Sequence, residues 1–280
     1  MKIALMLFLG IAAIILLKCV YKTTRSEKKI AGGMLKLLRT AAVEVMIAFF
    51  TLLFPVEWLS NLLYSLYFSN IAWMVYFMLC FSIEYIGRKP EQYINRTLVR
   101  WVLALNSISL LLNGVFGHAF SLKLYNTWGG GSCYVAVHKG YLRVHCLIVH
   151  ILMTCVFVAL GYQTINAPKV YRKKYFYPLL ILIAVIFVDV MHHMDLNPVD
   201  ITVIGYGLGT IILYYYALKF QPRDLARRSL GIVIDDMVEA VFIFDAEGNC
   251  LRINEAVHRM FPLEGGLELV EKHFSEWQSR

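Results

Sequence analysis

The chain has 280 residues, 59% of them hydrophobic and only 16% charged, with a net charge of +8. That balance excludes an ordinary soluble domain and leaves little polar chain for a large extramembrane one. The positive surplus calls for no nucleic acid, because most of it borders apolar stretches, where each basic side chain gains about 1 kcal/mol from anionic headgroups.

Seven apolar stretches follow one another: Ile3–Cys19, Ala41–Trp58, Leu62–Ile86, Leu98–Phe116, Leu142–Tyr162, Phe176–Val190 and Ile201–Leu218. Most approach the roughly 20 residues a helix needs to cross a bilayer. The first has Lys2 ahead of it, as a secretory leader would, but Lys18, Lys22 and Arg25 follow the apolar run, so it reads as a first span with an external N-terminus. Basic residues fill alternate gaps. Lys22, Arg25, Lys28 and Lys29 lie in the first, Arg88, Lys89 and Arg96 in the third, Lys169, Arg172, Lys173 and Lys174 in the fifth, and Lys219, Arg223, Arg227 and Arg228 after the last span. The second and sixth gaps have no Lys or Arg, and the long fourth has Lys123, Lys139 and Arg143. The positive-inside rule then sets the N-terminus outside and the C-terminus in the cytoplasm of a multi-pass protein of the cell membrane.

The spans carry polar groups with a pattern. Asn106, Ser109 and Asn113 share one face of the fourth and should turn into the bundle, while Thr202, Gly205 and Gly209 in the seventh have the small-residue spacing of close helix packing, between spans or between protomers. Ionisable groups at membrane depth are costly and point to function. On that ground Asp189, His192, His193 and Asp195, at the outer end of the sixth span, are candidate ligand-binding residues, with Asp189 and His193 one turn apart; plain interfacial solvation is the alternative. Glu44 in the second span is a further candidate, either lining the bundle or marking the cytoplasmic boundary. His145 and His150 in the fifth are expected to face inward and to be hydrogen-bonded. The outer loop Gly117–Tyr141 alternates enough to form a small hairpin, a candidate lid.

The six cysteines form no CxxC pair and no disulfide framework, although a bridge between Cys133 in the outer loop and Cys146 at the top of the fifth span is an alternative to free thiols. Catalytic signatures are missing as well: there is no P-loop, no HExxH and no lysine in the middle of the seventh span. The chain is expected to carry no catalytic residue, metal or cofactor of its own.

After the last span, Pro222 interrupts the helix and a juxtamembrane signalling helix is predicted to run to Met237, with Leu225, Leu230, Val233, Ile234 and Met237 on its apolar side. Two short strands, Ala240–Asp245 and Cys250–Asn254, then flank a Gly-containing turn, and a helix follows near Glu255–Phe261. The segment "DDMVEAVFIFDAEGNCLRINEAVHRMF" resembles the opening of a PAS domain. With the seven spans ahead of it, the Gly129–Gly131 cluster, "DLNPVDIT" and "PRDLARRSL", the chain resembles bacterial sensor proteins with a histidine kinase N-terminal seven-transmembrane region. That resemblance implies a region feeding a PAS domain and then a kinase or diguanylate cyclase.

The expected architecture is therefore an all-α membrane protein, a seven-transmembrane helix bundle with a small cytoplasmic partial α/β PAS-like segment. Its parts are a sensor region at 1–220, a signalling helix at 221–237 and an incomplete PAS-like segment at 238–280, since the residues after Leu230 suffice for two strands but not for a full PAS sheet. The expected partners are the lipid bilayer, an unknown small-molecule or physical stimulus, and a second copy or a full-length sensor. A small transporter or channel, or a remnant without output, are the rival readings; no internal repeat between the first and last three spans favours transport.

Overall fold

The computed structural model describes residues 2–28, 30–126, 131–167, 169–193, 202–219, 233–244 and 250–260. The chain divides into two units, 1–220 and 221–280. Among the described residues of the first unit, seven long helices run as α1 (Lys2–Thr24), α2 (Ala31–Leu53), α3 (Glu57–Tyr85), α4 (Arg96–Leu111), α6 (Gly140–Asn166), α7 (Lys169–His193) and α8 (Thr202–Tyr214). The short α5 (Asn113–Phe116) prolongs α4, and a π turn at Tyr215–Lys219 ends α8.

Four of these stretches are long and apolar enough to cross a membrane: α1, α3, the α4–α5 pair and α6; α8 with its π turn is a shorter apolar helix. At about 1.5 Å per residue, α1 is roughly 34 Å long, enough for the hydrocarbon core. The second predicted span is corrected. The helix begins at Ala31 rather than Ala41 and stops at Leu53, because Pro55 cannot donate to the helix ladder and pushes the residue before it out of helical geometry; α3 then starts at Glu57. The end of α3 is set by Gly87 at φ +84°, where Gly87 and Arg88 donate to the Glu84 and Ile83 carbonyls in a Schellman closure.

Helices α2, α3, α6, α7 and α8 close a ring, with α1 resting on α2 and α8 and α4 on α3. Leu37, Met74, Val156, Leu182 and Leu213 meet in its middle. The small stripe of α8 packs between helices of the same chain: a Cβ on Gly209 would lie 3.2 Å from both Ile181 and Val185 of α7. On the opposite side, a Cβ on Gly207 would come within 3.1 Å of Val45 on α2. Large apolar residues face outward on α1 (Ile3, Leu7, Ile11, Ile14), α4 (Trp101, Leu105, Ile108) and α6 (Leu147, Ile151, Val158). Hydrocarbon accepts such faces without penalty.

Pro178 sits inside α7 and removes the donor that the Lys174 carbonyl would otherwise receive. The Tyr85 hydroxyl of α3 donates to that carbonyl at 3.1 Å, so the helix crosses its proline with the freed group satisfied. The Lys174 ammonium also lies over the Tyr85 ring.

Strands β1 (Phe120–Asn126) and β2 (Ser132–His138) pair antiparallel from Phe120↔His138 to Asn126↔Ser132, giving the hairpin expected of the outer loop. It is docked on α3, with Phe120 1% exposed and its ring against Tyr64 and Phe68, and the Tyr64 hydroxyl donating to the Tyr134 carbonyl. Lys2 donates to the Ser132 carbonyl, so the start of α1 lies at this end. At the other end Lys28 donates to the Leu218 carbonyl, joining the first gap to the end of α8. The alternation of helices thus gathers Arg25, Arg88 and Lys173 at one end and the hairpin at the other. Neither Cys133 nor Cys146 is in a disulfide here; burial pushes the Cys133 thiol up.

In the second unit, β3 (Phe242–Phe244) and β4 (Cys250–Ile253) form an antiparallel pair followed by α9 (Glu255–Met260). Asn254, 1% exposed, ties these pieces together: its amide donates to the Ile234 and Glu239 carbonyls and its Oδ1 accepts from Val241 and Val257. Arg252 pairs with Asp235 at 2.7 Å. Most of the predicted 221–237 helix lies outside the described residues, which hold a helical turn at 233–235.

Candidate functional site

The polar face of α4 turns inward as its spacing requires. Asn106, buried, bonds the Nδ1 of His145 on α6 at 3.1 Å and receives the Tyr141 hydroxyl; Ser109 bonds His118 at 3.0 Å. Asn113 holds the hairpin, accepting from the backbone N–H groups of Ala119 and Phe120 and donating to the Phe120 carbonyl. These bonds link α4, the hairpin and α6 at the end opposite the basic gaps.

Below them lies an ionisable pair. His150 of α6 and Asp189 of α7 approach at 3.2 Å, Nε2 to Oδ2. The other ring nitrogen, Nδ1, is 2.7 Å from the Cys146 carbonyl. A carbonyl only accepts, so Nδ1 carries a hydrogen. Nε2 is the nitrogen turned to the Asp189 carboxyl, so the pair joins α6 to α7. The Asp189 side chain is the more enclosed, 16% exposed against 46% for His150.

Beside the pair a cavity of about 280 Å³ lies between α6, α7 and α8, bounded by Val149, Met153, Thr154, Phe157, Ile186 and Tyr206. A second, much smaller space of about 40 Å³ continues past His150 and Asp189 towards His145, His138, Phe68 and Thr202. The two share His150, Asp189, Val149 and Tyr206, so a group in the larger cavity lies next to the residues that hold the hairpin end.

Of the residues singled out in the sequence, Asp189 lies on this cavity and meets His150 of another helix. His192 and His193 close α7, with their side chains outside the described residues, and Asp195 also lies outside them. Glu44 is fully buried within α2, where Asn70 of α3 donates to its carboxylate and to the Thr40 carbonyl. The structure does not bring Glu44 into the Asp189 cavity. Sequence reasoning did not find Asn70, and it did not pair His150 with Asp189. An amide and a histidine on otherwise apolar spans were the available signals.

Among the described residues, no three of His, Cys, Asp and Glu converge as a metal set. Compared with individual curated proteins, the chain finds no match. One family model, described as the N-terminal 7TM region of histidine kinase, matches residues 4–226. Since that match runs from the first turn of α1 to beyond the end of α8, the chain belongs to this family of membrane-embedded sensor regions.

Proposed function

We propose that the chain spans the membrane seven times, with its N-terminus and hairpin outside and its basic end in the cytoplasm, and that it passes a stimulus received in the outer half of the bundle through α8 to the PAS-like segment. The family match carries the sensor reading. The orientation is supported by the gathering of Arg25, Arg88, Lys89, Arg172 and Lys173, all exposed, at one end, as cytoplasmic loops require. The input is assigned to the Asp189 and His150 pair because it joins α6 to α7, and α7 packs on the glycine stripe of α8. A stimulus that binds two arrangements of α7 against α8 unequally shifts their populations; one that binds both equally shifts nothing. Asp195, His192 and His193 stay in the reading as candidate ligand-binding residues, while Glu44 serves the α2–α3 contact.

Orientation is tested in intact cells with a membrane-impermeant maleimide, on single-cysteine chains in which the native cysteines are replaced. Lys123→Cys should label and Lys89→Cys should not; the reverse pattern overturns the topology. For function, a kinase domain fused after Arg280 should lose its stimulus response when Gly209→Leu blocks the α7–α8 contact. Solute flux through proteoliposomes containing only this chain would replace the sensor reading with transport.

A further inference from the structure

Helix α7 has two arms that meet at Pro178, and different neighbours hold each. The arm at 169–177 belongs to the basic end. The Tyr85 hydroxyl donates to its Lys174 carbonyl at 3.1 Å, and Tyr177 stacks on Tyr216 of the π turn with 5.0 Å between ring centroids. The arm at 179–193 presents Ile181 and Val185 to Gly209 of α8 and Asp189 to His150 of α6. Between the arms the helix ladder lacks one rung, because a proline has no N–H to give the carbonyl four residues back and its ring crowds that carbonyl. Such a break is where helices bend.

The missing rung is replaced by a group from outside the helix. Tyr85 is the last residue of α3 and is 4% exposed, with its ring stacked on Phe81 at 5.6 Å and edge to face with Tyr175 at 5.8 Å. The Lys174 ammonium lies 4.9 Å from the centre of the same ring. A ring held on these sides aims its hydroxyl at one position of the break. Towards the centre of the bundle, Pro178, Ile181 and Leu182 border a space of about 20 Å³ together with Met74, Met78 and Leu213. Methionine is unbranched and adaptable, so this wall can yield to a bend.

We propose that Pro178 is a hinge in α7 and that the Tyr85 hydroxyl is the latch that selects one bend. With the latch closed, α3 satisfies the Lys174 carbonyl and the two arms keep one angle. With it open, nothing in the helix fixes that carbonyl, and a change of angle moves Ile181 and Val185 against Gly209. The Tyr177 stack on Tyr216 carries the same change to the end of α8. The hinge deepens the proposed function and rests on it for its role in signalling; as a property of α7 it is measured without that role.

The test is electron–electron double resonance on the full chain in nanodiscs, with the native cysteines replaced and spin labels at Lys36→Cys on α2 and Lys173→Cys on the basic arm of α7, both exposed positions. The parent chain should give one narrow distance distribution. Tyr85→Phe keeps the ring and removes the donor, and should raise the share of other distances about fivefold, the effect of one neutral hydrogen bond. Pro178→Ala restores a donor within α7, so adding it to Tyr85→Phe should return the narrow distribution; Pro178→Val does the same where the alanine variant fails to assemble. A second pair, Lys36→Cys with Thr97→Cys on α4, should stay unchanged throughout. An unaltered distribution between positions 36 and 173 in Tyr85→Phe overturns the latch, and equal broadening with and without Pro178 overturns the hinge. Broadening of both pairs makes Tyr85 a general packing residue and overturns the proposal as well. Neither stimulus nor kinase enters this measurement. A hinge that opens without changing the output of the fused kinase therefore supports the joint and removes only its signalling role, whereas a rigid α7 removes the joint and leaves the sensor reading in place.

Discussion

At the hairpin end of the bundle amide, histidine and carboxyl side chains bond one another or the hairpin backbone across elements, whereas at the basic end an exposed lysine and a buried tyrosine reach across helices for backbone carbonyls. Asn106 with His145, Asn113 with the start of β1, and His150 with Asp189 belong to the first kind. Lys28 on the Leu218 carbonyl and Tyr85 on the Lys174 carbonyl belong to the second. The difference follows from what each group can find nearby. A buried amide or carboxyl needs a fixed partner, so it specifies one arrangement of helices. A lysine at a membrane surface has water and headgroups as alternatives and constrains little. The hairpin end is thus the part of the bundle whose geometry cross-element polar bonds define.

The contrast is broken most severely at Asn113. Asn113→Leu leaves two backbone donors and one carbonyl of the hairpin without partners, and should cost about 2–3 kcal/mol. Proteolysis of the chain in nanodiscs should then cut within 117–141 while the basic loops keep their wild-type pattern; unchanged protection of the hairpin would show that Asn113 does not hold it. Next in size is Gly209→Leu, where a side chain must enter space that Ile181 and Val185 already border at 3.2 Å. Overpacking there should destabilise by about 1–3 kcal/mol in thermal unfolding, and a neutral result would mean that the α7–α8 contact is loose.

The basic end is probed by Tyr85→Phe, which withdraws the hydroxyl from the Lys174 carbonyl at a cost of about 1 kcal/mol. In a Pro178→Ala background the helix regains its own donor, so the same change should cost less; additive effects in this double-mutant cycle would argue that the hydroxyl does not serve the proline break. Smallest is Glu91. A hydrogen bond from the backbone and the neighbouring Arg96 guanidinium hold its carboxyl below the usual range. A lowered folded-state value means that the contribution is complete above the unfolded pKa of about 4.3 and disappears as pH falls through the folded value. Glu91→Gln should flatten the acid limb of the stability curve slightly and leave the hairpin end untouched; a loss of hairpin protection in this variant would couple the two ends.

Elements whose cause is local could be read directly. The Asn106, Ser109 and Asn113 stripe predicts an inward face because three residues on one helix share it whatever the neighbours are. The alternating 117–141 segment predicts a hairpin because period two in a loop has one common solution. Glu255–Phe261 predicts a helix, and the Asn that precedes it caps that helix. The early start of α2 was not legible, since Ala31–Arg39 is less apolar than the rest and hydropathy alone marks only what could face lipid.

Pairs across helices were not legible for a different reason. Glu44 and Asn70 are 26 residues apart and Tyr85 and Lys174 are 89 apart. Their meeting depends on which face of each helix turns to the other, and packing of whole helices decides that. Asp189 illustrates the division. Its cost in a bilayer marked it from composition, yet the sequence neighbour at one turn, His193, was the only partner that periodicity could suggest. The cavity and the His150 contact exist because α6 and α7 are held together along their length.

By itself, then, the sequence determined the apolar spans, the alternation of charge between their ends, the inward stripe of α4 and the hairpin, because each follows from the local balance of solvation, helix geometry and strand period. Only the tertiary structure decided that α2, α3, α6, α7 and α8 close a ring, that the glycines of α8 serve α7 and α2, and that Asp189 faces His150 across a cavity. Those outcomes depend on how ridges, small residues and polar groups from distant segments fit at once, and no single segment contains that information.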